Sequence, residues 1–286
     1  MTGTNYLKNF VLLSLLASFA CFCELSLAND APAFPLEIQG NWVPGGMLFG
    51  KTAPGAQLKI LNRELIADSH GEFVFGLGRD VTGNVRILIN SEGQAHEFTF
   101  MVESREYKVQ RINGVEKKYV SPPKEVLARI SADAAQVRAA RETLSQELNF
   151  RESFIWPANG PVTGVYGSQR VFNGVPKRPH YGLDIAGPVG TPIYAPAGGV
   201  VTLAVNDMYY SGGTLIVDHG YGISSTFIHL SEILVKPGQR LKQGELIAKM
   251  GATGRATGSH LDWRINWFEQ RLDPALVLPE RPTAHD

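Results

Sequence analysis

His180-Tyr181-Gly182-Leu183-Asp184 is the stretch around which the rest of the chain is organised. It sets an imidazole and a carboxylate four residues apart. In an extended strand side chains alternate between faces, so positions i and i+4 share one. Nitrogen and oxygen ligands on one face suit a zinc ion, and two ligands ask for a third. Gly258-Ser259-His260-Leu261-Asp262-Trp263-Arg264 offers two candidates, His260 and Asp262, again on one face of a strand. His229, in Thr226-Phe227-Ile228-His229-Leu230-Ser231, is a further candidate. A hydrolytic zinc site needs three protein ligands and an open position, so His180, Asp184 and one of the 260–262 pair could hold the ion. The remaining histidines could orient water or hydrogen-bond a developing oxyanion.

Outward from this stretch, residues 154–286 read as β-rich and glycine-rich. Thr191 to Tyr194, Val200-Val201, and a hairpin from Thr214 to Ile228 turned at Gly220-Tyr221-Gly222 predict a compact antiparallel sheet or barrel. Upstream, residues 29–103 carry short apolar runs such as Leu58-Lys59-Ile60-Leu61, Phe73-Val74-Phe75 and Val85 to Ile89, punctuated by turn residues. That spacing predicts a small β-sandwich. Residues 104–153 read as a linker: two strand-capable pieces around Gly114, then an amphipathic helix from Lys124 to about Leu148. The fold class expected is therefore mainly β.

Composition narrows the function. The chain has 286 residues, Lys+Arg and Asp+Glu are both 27, and the formal net charge is +0. A neutral chain has no bulk attraction to nucleic acid or anionic lipid. Residues 1–28 read as a secretory signal: Lys8, an apolar run from Phe10 to Phe22, and Ser26-Leu27-Ala28 as the exit. That run is short for a membrane span of about 20 residues, so no stable span is expected after cleavage. Both cysteines, Cys21 and Cys23, fall in this leader. The mature chain would then have neither disulfide nor thiolate, and any metal site must use His and carboxylate.

Two other motifs are set aside. Gly45 to Thr52 fits G-x-x-x-x-G-K-[ST], but Ala53-Pro54-Gly55 follows where the phosphate loop needs a helix, so a turn between strands is the better reading. Lys249, near the end of an apolar strand, faintly resembles the modified lysine of biotinyl or lipoyl carriers, which leaves His180, Asp184 and His260 unexplained.

From about Trp156 to Leu276 the chain resembles the lysostaphin-type (LytM-like) zinc metallopeptidases that cut peptidoglycan. Their pattern is H-x-x-x-D, then a His before Leu-Ser, then H-x-H. His180 and Asp184 match the first two zinc ligands. His229 and His260 match the active-site histidines. Pro192-Ile193-Tyr194-Ala195-Pro196-Ala197-Gly198-Gly199 and Gly251-Ala252-Thr253-Gly254 are also similar. The resemblance implies a peptidase domain with a duplicated-hybrid-motif-like fold, one Zn2+, stem peptides as substrate, and a Gram-negative periplasm as location. It departs at one position: Asp262 stands where the family has its third histidine. A carboxylate can bind zinc, but His with two Asp lowers the charge of the centre and so the acidity of bound water. A slower hydrolase, a site for an oxygen-preferring metal, or a silent binder that activates a cell-wall amidase all follow from that change. Asp262 could instead orient His260, which would then be the ligand. His219 is expected to be structural, and His70, His96 and His285 solvated.

Overall fold

Alternation builds the central strand. From His260 to Trp267 the odd positions Leu261, Trp263, Ile265 and Trp267 are apolar and fully buried. The even positions His260, Asp262, Arg264 and Asn266 are polar. An extended backbone sends these sets to opposite faces, so one strand anchors the core and presents a polar row. Each large apolar side chain so buried contributes about 1.5–3 kcal/mol.

The computed structural model describes residues 34–281. The expected leader at 1–28, with Cys21 and Cys23, and His285 lie outside the described residues. In chain order the first strands are β1 (Glu37–Gly40), β2 (Met47–Lys51), β3 (Gln57–Ile60), β4 (Arg63–Ile66), β5 (Glu72–Gly76), β6 (Gly83–Ser91) and β7 (Gln94–Val102). They form two antiparallel sheets, β1-β2-β5 and β4-β3-β6-β7. Leu58, Ile60, Phe73, Phe75, Ile87 and Ile89 fill the space within this part of the core. The stretch that matched a phosphate loop is largely β2 itself, not a turn, and no helix follows it.

After β8 (Val109–Ile112) come a helical turn α1 (Lys117–Val120) and helix α2 (Leu127–Arg141). The remaining strands are β9 (Val162–Gly164), β10 (Gln169–Phe172), β11 (Val175–Pro176), β12 (Leu183–Ala186), β13 (Pro192–Tyr194), β14 (Gly199–Met208), β15 (Gly212–Gly220), β16 (Ile223–Ile233), β17 (Arg240–Leu241), β18 (Leu246–Met250), β19 (His260–Trp267) and β20 (Gln270–Leu272). The large sheet runs β17-β14-β15-β16-β19-β12-β9, so the three strands bearing the candidate residues lie side by side. Its pairings are antiparallel, and β8 joins β10 in parallel in a separate small sheet. Gly76 of β5 backs onto Leu272 and Trp267, where a Cβ would collide, so the first sheets and the large sheet share one continuous core. The molecule is mainly β, as the alternation predicts.

Three local expectations are corrected. The helix ends at Arg141 rather than Leu148: beyond it Ser145 bonds to Asp218 and accepts the Tyr221 N–H, so the chain is tied to the sheet instead of coiling. Val137 and Ala140 pack on Leu203 and Ile216, whereas Leu127, Leu144 and Leu148 are exposed. Around Gly114 there is one strand and a helical turn, not two strand pieces. His180 precedes β12 and is not in it.

Candidate metal centre

The last correction explains how the first motif works. Four residues of straight strand would separate His180 from Asp184 by about 13 Å. A bend at Gly182 folds the chain back, and His180 Nε2 comes to 3.0 Å from Asp184 Oδ1. Backbone bonds fix the bend: His180 N–H donates to Ser168 O, and Gly167 N–H donates to His180 O. Gly182 has no Cβ because one would strike Asp262 Oδ1, and Gly164 is bare because one would strike Asp184 Oδ2. The two aspartates are direct cross-strand partners, Asp184 on β12 and Asp262 on β19. His180, Asp184 and Asp262 each offer one donor atom, all within 4.8 Å of one another. Each is at most 6% exposed.

His229 arrives by a different device. The pairing of β16 with β15 slips between Phe227 and Leu230, and His229 adopts a left-handed backbone with φ of 67°. Such strain persists where surroundings hold it, here the bond from His229 N–H to Ser211 O. The ring is re-aimed so that its centroid lies 4.8 Å from that of His260. His229 Nδ1 donates to Thr253 O at 2.8 Å and His260 Nδ1 to Gly258 O at 2.9 Å. Carbonyl acceptors fix the proton on Nδ1, which leaves both Nε2 atoms as free acceptors when neutral. His260 Nε2 is 4.0 Å from Asp184 Oδ1. Asp262 makes no bond to His260 and does not orient it.

Two arginines complete the cluster, and neither stands out in the sequence as part of it. Arg264 grips Asp262 with both prongs, Nε to Oδ1 at 2.8 Å and Nη2 to Oδ2 at 2.6 Å. Arg170 Nη2 donates to Asp184 Oδ2 at 2.9 Å. Arg264 was legible in principle, since it is two residues beyond Asp262 on the same strand face. Arg170 was not, because it comes from β10 in another sheet.

Burial lowers the His180 imidazole to about 3 and that of His229 to about 4, so both are neutral at pH 7. Asp184 is pushed up, first by burial and then by the charge of Asp262, with Arg170 opposing. Asp262 is also penalised by burial, but the Arg264 charge and hydrogen bonds outweigh this and hold it well below the usual carboxylate range.

The donor set bears on whether a divalent ion fits. Among the described residues, His180 Nε2 and Asp184 Oδ1 are buried, face each other at 3.0 Å and make no hydrogen bond. Unpaired groups in the interior are costly, and a cation between them would remove the cost. A carboxylate accepts at about four sites, so Asp262 can serve Arg264 and an ion together. The residues present fit a zinc ion. They fit it less strongly than a His-Asp-His set would, because two arginine charges already balance the two carboxylates.

The other histidines are elsewhere. His219 is fully buried, donating from Nδ1 to Gly198 O and accepting at Nε2 from Ser225, as a structural residue would. His70 is largely exposed. His96 is not simply solvated: its ring stacks on Phe34 at 3.9 Å. Lys249 lies within β18, paired with Glu232 of β16, and stands at no hairpin tip.

The model of Peptidase family M23 matches residues 178–274. Peptidoglycan DD-endopeptidase ShyA of Vibrio cholerae is 42% identical over 113 residues, which is 37% of this chain and 26% of that protein. The lipoprotein NlpD/LppB homolog of Pseudomonas aeruginosa is 34% identical over 126 residues, 44% of this chain and 40% of that protein. The chain thus spans less than half the length of either relative. A crystal structure from Pseudomonas aeruginosa assigned to peptidase M23 is 32% identical, with a TM-score of 0.66, and the alignment covers 82% of this chain and 94% of that one.

Proposed function

Since the chain belongs to peptidase family M23, we propose that it is an exported, zinc-dependent endopeptidase that hydrolyses peptide cross-links of bacterial peptidoglycan in the periplasm. The observation that carries this reading is the convergence of His180, Asp184 and Asp262, with two donor atoms buried and without a hydrogen bond among the described residues. These three residues would hold the ion. Bound there, zinc would supply Lewis acidity toward water and the scissile carbonyl. Nε2 of His229 or His260 would take a proton from the attacking water, and the Nε2–H so formed would donate a hydrogen bond to the tetrahedral oxygen. Residues 154–286 carry this chemistry, 29–103 position or recognise the wall, and 104–153 link them. The DD-endopeptidase name of ShyA supports a D-alanyl–diaminopimelate bond as the target.

A second reading has its own observation. The Arg264 fork on Asp262 and the Arg170 contact to Asp184 neutralise the cluster without an ion. That favours a weak or silent module that binds the wall or activates a cell-wall amidase, in keeping with the similarity to the murein hydrolase activator NlpD of Escherichia coli, 32% identical over 126 residues. Digestion of defined cross-linked muropeptides separates the two. The endopeptidase reading expects monomers from wild type with zinc and none from His229→Ala. No release, with stimulation of an amidase instead, would favour the second.

A further inference from the structure

Beside the metal centre, on the same face of the large sheet, lies a set of groups the hydrolytic reading does not use. Along β19 the polar row continues past Asp262 to Arg264 and Asn266. Their cross-strand partners on β16 are Thr226 and Ser224. On the other side Arg271 of β20 is opposite Asn266 and donates to its Oδ1 at 3.0 Å. From above, Arg141 at the end of α2 reaches down and donates from Nη2 to Thr226 Oγ1 at 2.9 Å. Each step along a strand face is about 7 Å, so this shelf begins one step from the metal ligands.

The shelf is rich in donors and short of acceptors. Arg141 is only 8% exposed, yet among the described residues its guanidinium has no acid partner and its Nε no hydrogen-bond partner. Ser224, 2% exposed, has an unpartnered hydroxyl. Arg271 likewise pairs with an amide and not with an acid. Arg264 spends two of its donor groups on Asp262 and keeps Nη1. Burial and mutual repulsion lower Arg141 and Arg271 from the usual guanidinium range, Arg271 to about 10. Buried cations are normally paired, and of these three arginines only Arg264 has an acid partner among the described residues. Arg264 and Arg271 remain partly open to solvent, with Arg141 and Ser224 buried behind them.

We propose that Arg264 and Arg271, with Arg141 and Ser224 adding positive charge and polarity behind them, form a carboxylate-binding subsite that holds a free carboxylate of the substrate peptide, next to the bond positioned at His180, Asp184 and Asp262. Planar guanidiniums suit a carboxylate because two parallel N–H donors match its two oxygens. The assignment of that carboxylate to a peptidoglycan stem peptide rests on the endopeptidase reading. The subsite itself rests on the arginines.

Binding tests it without turnover. The full mature chain carrying His229→Ala is titrated calorimetrically with a cross-linked stem peptide, either as the free acid or with its carboxylates amidated. Amidation is expected to weaken binding about tenfold or more. Arg271→Gln should cause a similar loss for the free acid and little for the amide, with Arg271→Lys recovering part of it. Thermal melts of each variant show that the fold is retained; Arg271 is chosen over the more buried Arg141 for that reason. Inorganic phosphate serves as a competitor, and displacement of the free acid alone supports the subsite. Equal binding of acid and amide, equal loss of both in Arg271→Gln, or no binding of either overturns it. Discrimination without cleavage by the wild type would sink the hydrolase reading and keep the subsite, and cleavage without discrimination would do the reverse.

Discussion

Asp262 and Arg264, two residues apart on one strand, are joined through both carboxylate oxygens and two guanidinium nitrogens, at 2.8 and 2.6 Å. The pair sits where the family pattern calls for a histidine ligand. It makes the proposed third ligand and its charge partner a unit, so neither can be changed alone without consequence. Removing one member of a buried ion pair costs about 3–5 kcal/mol, because the other is left uncompensated.

The first prediction concerns that unit. Asp262→His alone leaves the Arg264 guanidinium unpaired beside the ion, and zinc affinity should fall about tenfold or more. Arg264→Gln alone should lower the melting temperature of metal-free protein but raise zinc affinity. The double variant should exceed wild type in both zinc affinity and muropeptide release. Competition titration with a zinc chelator reads all three; affinities unchanged across the series would remove Asp262 from the ligand set.

The second concerns the bend that brings His180 back to Asp184. A Cβ at Gly182 would strike Asp262 Oδ1 and Arg264 Cγ, and one at Gly164 would strike the Asp184 carboxylate. Gly182→Ala and Gly164→Ala should each cost about 1–3 kcal/mol of stability by overpacking, and zinc affinity should fall with it. Chemical denaturation together with zinc titration measures both. Full affinity in either variant would mean that the close approach is not needed.

A third concerns His229, strained at φ of 67°. His229→Ala should reduce cleavage by about 10²- to 10⁴-fold while leaving zinc content unchanged. Because glycine takes a left-handed backbone freely, His229→Gly should be more stable than His229→Ala by up to about 1 kcal/mol. Loss of zinc in both variants would make His229 a ligand instead.

These positions show what the sequence could and could not convey. The polar–apolar alternation of residues 260–267 announces both the strand and its polar row, and the hairpin at Gly220-Tyr221-Gly222 is plain from its glycines. The bulge at His229 and the bend before Asp184 are not, since each depends on a backbone partner distant in sequence, Ser211 and Ser168. Leu144 and Leu148 keep the helical spacing beyond Arg141, although their chain is held by Asp218 and Tyr221 instead of coiling. Arg170 was invisible for a related reason: it reaches Asp184 from β10, which pairs with β8 rather than with the large sheet.

The fourth prediction is a pH dependence. Burial lowers the His219 imidazole to about 4, below the ordinary value of 6.5. The neutral ring donates to Gly198 O and accepts from Ser225, whose oxygen in turn accepts from Trp263 Nε1. The unfolded chain therefore binds the proton more readily, and stability present above about pH 6.5 is lost as pH falls toward 4. Melting temperature should drop across that window, and less steeply in His219→Gln. An equal slope in the variant would mean that other groups carry the acid limb.

The central claim is that His180, Asp184 and Asp262 together hold one divalent ion. Elemental analysis of the purified, zinc-equilibrated mature chain, after passage through a desalting column, tests it most directly. The account expects about one zinc per wild-type chain, and little in His180→Ala or Asp184→Ala proteins that melt cooperatively. A folded wild-type protein that retains no zinc, or variants that retain as much as wild type, would contradict it.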